Sequence, residues 1–209
     1  MEKLINLNRG QTFTFAGHEW IILETCHRAA LVLMKDLAKY RAFDRQDRAD
    51  WRDSSARKFL NIVFLEELEM AAGYQANRIL SMEVDLKAAD GTFREKSVDR
   101  VALLTIEQYR RHRDIIKPIG TVWWTLTRET AVSHDYLLAI RSDGTILNRA
   151  LAHYSHTGIR PTLLLASDTL VDVIEDSTQG TPIEAIAATE ADHILQKETA
   201  DVIAVAAAR

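Results

Sequence analysis

Two tryptophans stand side by side at Trp123-Trp124, well ahead of a Gly158-Ile159-Arg160-Pro161 segment. On an extended strand consecutive side chains leave opposite faces, so one apolar face cannot take both indoles. One of the pair is expected in a core. The other is expected at the surface, where an indole offers a flat platform to a sugar or a partner. Two more punctuated segments, Gly17-His18-Glu19-Trp20 and Trp51-x-x-Ser54-Ser55-x-Arg57-x-x-Leu60-Asn61, share the framework. Together they predict one irregular α+β domain with a twisted antiparallel sheet and two helices. None of them has the look of a catalytic constellation.

The pattern between these landmarks supplies the elements. Residues 11–34 read as two strands, apolar runs at 20–23 and 29–34, with a short alternating stretch at 12–15 before the Gly17-His18 turn. Residues 35–53 are strongly charged and read as a solvated loop with a short helix over 36–40. Ser54 or Ser55 is a good N-cap, and Phe59, Leu60, Val63, Phe64 and Leu68 recur at helical spacing. A helix over 55–70 follows, stopped by Gly73. Short strands are expected within 79–86 and over 98–104. Thr105-x-x-Gln108 is a capping box that opens a second helix through Arg113. Residues 121–166 read as a β-meander with an Asp143-Gly144 hairpin turn, closed by a strand over 161–166. The domain is thus expected over 1–168 and a linker over 169–182. An Ala-rich C-terminal helix over 183–209 would serve docking or oligomerisation.

Composition narrows the partners. The formal net charge is −4, so no global positive field recruits nucleic acid. The single Cys26 excludes an intramolecular disulfide and a thiolate zinc cage; it reads as a small core or loop residue. No apolar run approaches the roughly 20 residues of a membrane helix, and the N-terminal residues carry no secretory signal. Synthesis in a cytoplasm is the expectation.

The polar residues that stand out have structural readings. Arg57 and Asn61 lie four apart on one helix face, and Arg160 precedes a proline in an extended segment. With Asp99 as a candidate partner, these four are expected to form a network that ties loop backbone together. His153-x-x-His156 is the one close histidine pair, and on a strand or loop it gives no fixed metal geometry. No metal site and no cofactor motif is expected. The Arg110-Arg111-His112-Arg113 run lacks interleaved aromatics and reads as a solvated helix face.

The order of a Gly-x-x-Trp strand, the Trp51 to Asn61 helix, Asp99-x-Val101-x-Leu103-Leu104-Thr105-x-x-Gln108-Tyr109, the tryptophan pair and Gly-Ile-Arg-Pro resembles DUF6273-type domains of bacteria and phages. Their layout in turn is similar to the C-type-lectin-like fold shared with formylglycine-generating-enzyme-like domains. The resemblance covers roughly residues 9–166. It implies a non-enzymatic binding or structural module, in a phage virion or another assembly, displaying its sheet loops around 125–136 and 148–158. The expected surface is Trp123, Trp124, His134, Tyr136, His153 and Tyr154. The expected partners are protein subunits, a second copy of the chain, or a cell-surface glycan. The calcium loop and disulfides of sugar-binding lectins and the copper-binding cysteine pair of the enzymes are missing, so neither chemistry carries over. The alternative implied by the same fold is an enzyme whose site is not legible in sequence.

Overall fold

Runs of β-branched and aromatic residues become strands here, and the two longest capped apolar periodicities become helices. The structure, a computed structural model, describes residues 1–92, 95–132 and 136–174. The strands in its first third are β1 (Glu2–Lys3), β2 (Thr12–Phe15), β3 (His18–Thr25), β4 (Ala29–Met34) and β5 (Lys39–Tyr40). A helical run of 24 residues follows. It comprises α1 (Ser55–Lys58), a π-helical stretch (Phe59–Phe64), α2 (Leu65–Ala72) and a 3-10 stretch (Gly73–Arg78). Then come β6 (Ile79–Leu80), β7 (Met82–Asp85), β8 (Lys96–Asp99), β9 (Val101–Leu103) and α3 (Ile106–His112). The chain continues through β10 (Trp123–Arg128), β11 (Tyr136–Ile140), β12 (Ile146–Leu151), β13 (Gly158–Ile159), β14 (Pro161–Ala166) and β15 (Leu170–Ile174).

The result is an α+β unit with a curled antiparallel sheet and two helices. The larger sheet runs β1-β15-β2-β3-β4-β14-β6, with β9 also on β14. A second sheet runs β12-β11-β10-β13-β5, and β7 pairs with β8. Ser54 caps α1 by accepting from the Arg57 backbone N–H. Thr105 and Gln108 form the expected capping box on α3.

Alternation along β3 shows how the core is divided. Trp20 and Ile22 belong to one cluster, with Phe13, Phe43, Trp51, Leu60, Phe64 and Leu68. Ile21 and Leu23 belong to a second, with Leu33, Ile106, Tyr109 and Ile140. The uninterrupted run at 20–23 therefore means a strand covered on both faces. The tryptophan pair behaves likewise: Trp124 lies in the first cluster and Trp123 in the second.

Four expectations need correction. Residues 36–40 are not a helix: Lys39–Tyr40 is a strand that pairs with β13, Tyr40 opposite Gly158. The meander is only β10-β11-β12, because β14 leaves it to pair with β4 across Thr162 to Ala166. The 12–15 stretch is a full strand, so 11–34 holds three strands. The linker does not begin at 169, since β15 pairs with β1 and β2 and buries Val171. The remainder of that linker and the helix expected over 183–209 lie outside the described residues.

Candidate functional site

The residues singled out in sequence separate into buried ties and one exposed groove. Asp99 is a buried hub. Its Oδ1 accepts from Arg57 Nε at 2.6 Å, and its Oδ2 accepts from Trp51 Nε1 at 2.9 Å and Ser97 Oγ at 2.7 Å. Asn61 Nδ2 donates to the Val101 carbonyl at 2.8 Å, while Asn61 Oδ1 accepts from the Arg100 and Val101 N–H groups. The helix face thus stitches itself to β9.

Arg160 stands apart from that network. Its Nε and Nη2 donate to the Met34 and Lys35 carbonyls, each at 2.8 Å, and its guanidinium lies 5.1 Å from the Trp123 ring centre. Among the described residues no carboxylate pairs with it and its Nη1 has no hydrogen-bond partner, and burial pushes its pKa down to about 10.

The expected indole platform is absent. Trp123 is 1 % exposed and Trp124 fully buried, because the sheet is covered on both sides. Trp124 Nε1 donates to the Arg41 carbonyl at 3.0 Å, which satisfies its polar edge internally. Residues 125–128 are buried or half-buried strand and 148–151 are strand, so the displayed loop in the later region is 152–157. Tyr136 is half-buried under the Arg149 guanidinium, 4.6 Å from its ring. His134 lies outside the described residues.

His153 and Tyr154 are exposed, with ring centres 5.2 Å apart. His153 borders an open groove of ≈ 440 Å³ that Tyr40, Arg41 and Arg45 also line, while Tyr154 lines a neighbouring cleft with Val122 and Leu147. Arg41 and Arg45 continue the groove toward Lys58, Phe59, Ile62 and Val63 on the π-helical stretch. The Arg41 wall is rigidly seated from beneath. Phe43 is buried against Trp51 and Trp124. The Asp44 N–H donates to Ala152 O, and its carboxylate accepts from Ser55 N and Arg48 Nε. Arg41 N donates to Thr157 O, which joins this wall to the His153 loop. Asp47, held at φ 56, places its carboxylate 2.8 Å from His153 Nδ1.

Cations line the groove and its extension, while the Asp47 carboxylate meets it only on the His153 side. Lys39, Arg41, Arg45 and Lys58 have no carboxylate partner among the described residues, since Asp44 and Asp47 are engaged by Arg48 and His153. Elsewhere many surface cations are paired, as Lys35 with Glu19, Arg78 with Asp168 and Lys96 with Glu83. Burial, and then the neighbouring Arg45, lower the Arg41 pKa from its ordinary value. The Arg41 guanidinium lies 4.5 Å from the Phe59 ring centre, and Lys39 Nζ 5.9 Å from it.

A second crevice, of ≈ 240 Å³, lies between β7 and α3, and its Lys87 and Glu107 are paired across 3.4 Å. No set of three metal-ligating side chains converges among the described residues.

Of the residues along the groove, sequence reasoning singled out His153 and missed Tyr40, Arg41, Arg45, Lys58 and Phe59. Its one available trace was Lys39-Tyr40-Arg41, a basic-aromatic-basic triplet inside a stretch read as solvated loop. No family model, curated protein or solved structure matches the chain.

Proposed function

We propose that this protein is a non-enzymatic binding module of a larger assembly, and that the groove between Tyr40 and His153 is its recognition surface. The observation that carries this reading is the set of four cations along the groove and its extension, none with a carboxylate partner among the described residues. Like charges held together without counterions raise the energy of the free protein, and an anionic partner relieves that cost. Short loops on a paired sheet supply the rigidity that recognition needs.

The fold is read as C-type-lectin-like, in keeping with the motif order. In support, a tryptophan-bearing strand lies in the second half and late strands close the large sheet. A virion or related assembly is the setting that this likeness implies.

The test is retention of the full chain on immobilised polyglutamate. Arg41→Gln with Arg45→Gln should elute at clearly lower salt than the parent. Arg110→Gln with Lys117→Gln, an equal charge change at exposed positions in and beyond α3, should elute with the parent. Equal retention of all three proteins would sink the groove as the recognition surface.

An enzyme of the same fold is the second reading. It is favoured by the imidazole of His153, which a carboxylate holds at the groove wall, since such a pair can act as a general base. Turnover of a small ester or amide panel by the parent, lost in His153→Gln, would select it.

A further inference from the structure

We infer that the groove takes an acidic, partly apolar segment of a partner protein. This rests on reading the groove as a recognition surface and adds the chemistry of the occupant. Two features meet there. The first is the cation set Lys39, Arg41, Arg45 and Lys58, in which the Arg41 and Arg45 guanidinium forks match carboxylates in two-point geometry and the two lysines add point charges. The second is an exposed aliphatic flank, Ile62 at 63 % and Val63 at 47 % exposure, on the same stretch as Phe59.

The combination discriminates between anions. A single-stranded nucleic acid uses phosphate contacts and stacking platforms; Tyr40 would serve it, and the aliphatic flank would be wasted. An acidic saccharide likewise leaves Ile62 and Val63 uncovered. A peptide that mixes glutamate or aspartate with leucine or valine uses both the cations and the flank.

The backbone offers a matching docking mode. β5 is the terminal strand of its sheet, with β13 on one side, and Lys39 and Tyr40 are exposed along it. An extended segment can add to such an edge, with main-chain hydrogen bonds supplying affinity and the flanking side chains specificity.

The experiment is fluorescence anisotropy with the full chain and three labelled probes at low salt: an alternating glutamate-leucine peptide, an oligothymidylate and a heparin oligosaccharide. The peptide should bind. Its affinity should fall about tenfold or more in Arg41→Gln with Arg45→Gln. It should also fall in Ile62→Ser with Val63→Ser, and hold in Arg110→Gln with Lys117→Gln. All of these positions are half-buried or exposed, and thermal melts of each variant would establish that it folds. Binding of oligothymidylate or heparin through Arg41 and Arg45, with no peptide binding, would overturn the acidic segment and leave the recognition surface standing. No probe responding to Arg41 and Arg45 would overturn both.

Discussion

Asp99 joins residues far apart in the chain through one buried carboxylate that accepts from Trp51, Arg57 and Ser97. Removing one partner of a buried ion pair costs about 3–5 kcal/mol. Arg57 is 31 % exposed and can turn to water, so Asp99→Ala should cost about 3 kcal/mol, the low end of that range. Asp99→Asn should cost less, because an amide oxygen in the place of Oδ2 still accepts from Trp51 and Ser97. Urea unfolding at pH 7 would measure both. His112 makes a different prediction. It is buried with neither ring nitrogen hydrogen-bonded. Burial first and then Arg9 lower its pKa below the ordinary 6.5, against the opposing pull of Glu24 and Asp114, with Arg111 lowering it further. Glu24 Oε2 lies 3.8 Å from Nε2, yet desolvation outweighs it. The folded state therefore prefers the neutral ring. That stability is present above pH 6.5 and is lost as pH falls toward the lowered folded value. Melting temperatures taken from pH 8 to pH 5 should drop below pH 6.5, and His112→Leu should flatten the drop in part. His18, lowered mainly by its own burial, would keep the remainder. A midpoint equally pH-dependent in His112→Leu would contradict this. Helical spacing puts Arg57 and Asn61 on one face, but it names Asp99 only as a candidate partner, because the contact with Arg57 joins residues 42 apart in the chain. The double burial of Trp123 and Trp124 was not visible in sequence, because it depends on α3 and Tyr109 arriving from elsewhere in the chain.

Elements with their own local chemistry were legible, and elements defined by their partners were not. The capping box at Thr105 is a four-residue signal, and it starts α3 at the next residue. Thr105→Ala should cost about 1 kcal/mol, seen as a lowered urea midpoint with an unchanged slope. By contrast, β5 is two exposed residues long and exists because β13 pairs with it; no periodicity can announce it. The groove inherited this blindness, since its basic wall lies on the segment that β5 holds. Close approach fixes that wall as well. A Cβ on Gly158 would sit 2.4 Å from Leu37 Cδ1. Gly158→Ala should therefore destabilise the protein by roughly 1–3 kcal/mol through overpacking. Leu37→Ala should recover part of the loss in the double variant, a coupling that a double-mutant cycle would read directly.

For the unit of residues 1–174, closure depends on its last strand. β15 lies between β1 and β2 in the large sheet, and Thr169 and Val171 are buried there. A chain ending at Asp168 should lose cooperative unfolding or melt well below one ending at Ile174, as circular dichroism would show. Equal melts would make β15 dispensable. The change of composition after Asp168 suggested a boundary in sequence. The strand overrode it, because β15 finds its register on β2 rather than in any pattern of its own. The same pairing has a mechanical side. Glu2 lies opposite Val171 and Lys3 opposite Leu170 in antiparallel register, and the Met1 amine is 3.5 Å from Asp172 Oδ1. Tension applied between Met1 and Ile174 would load that ladder one rung after another, as a zip opens, instead of shearing all rungs at once. Under tension the first element to peel away would be β1, while the groove wall, anchored through Phe43 and Trp124, would remain seated.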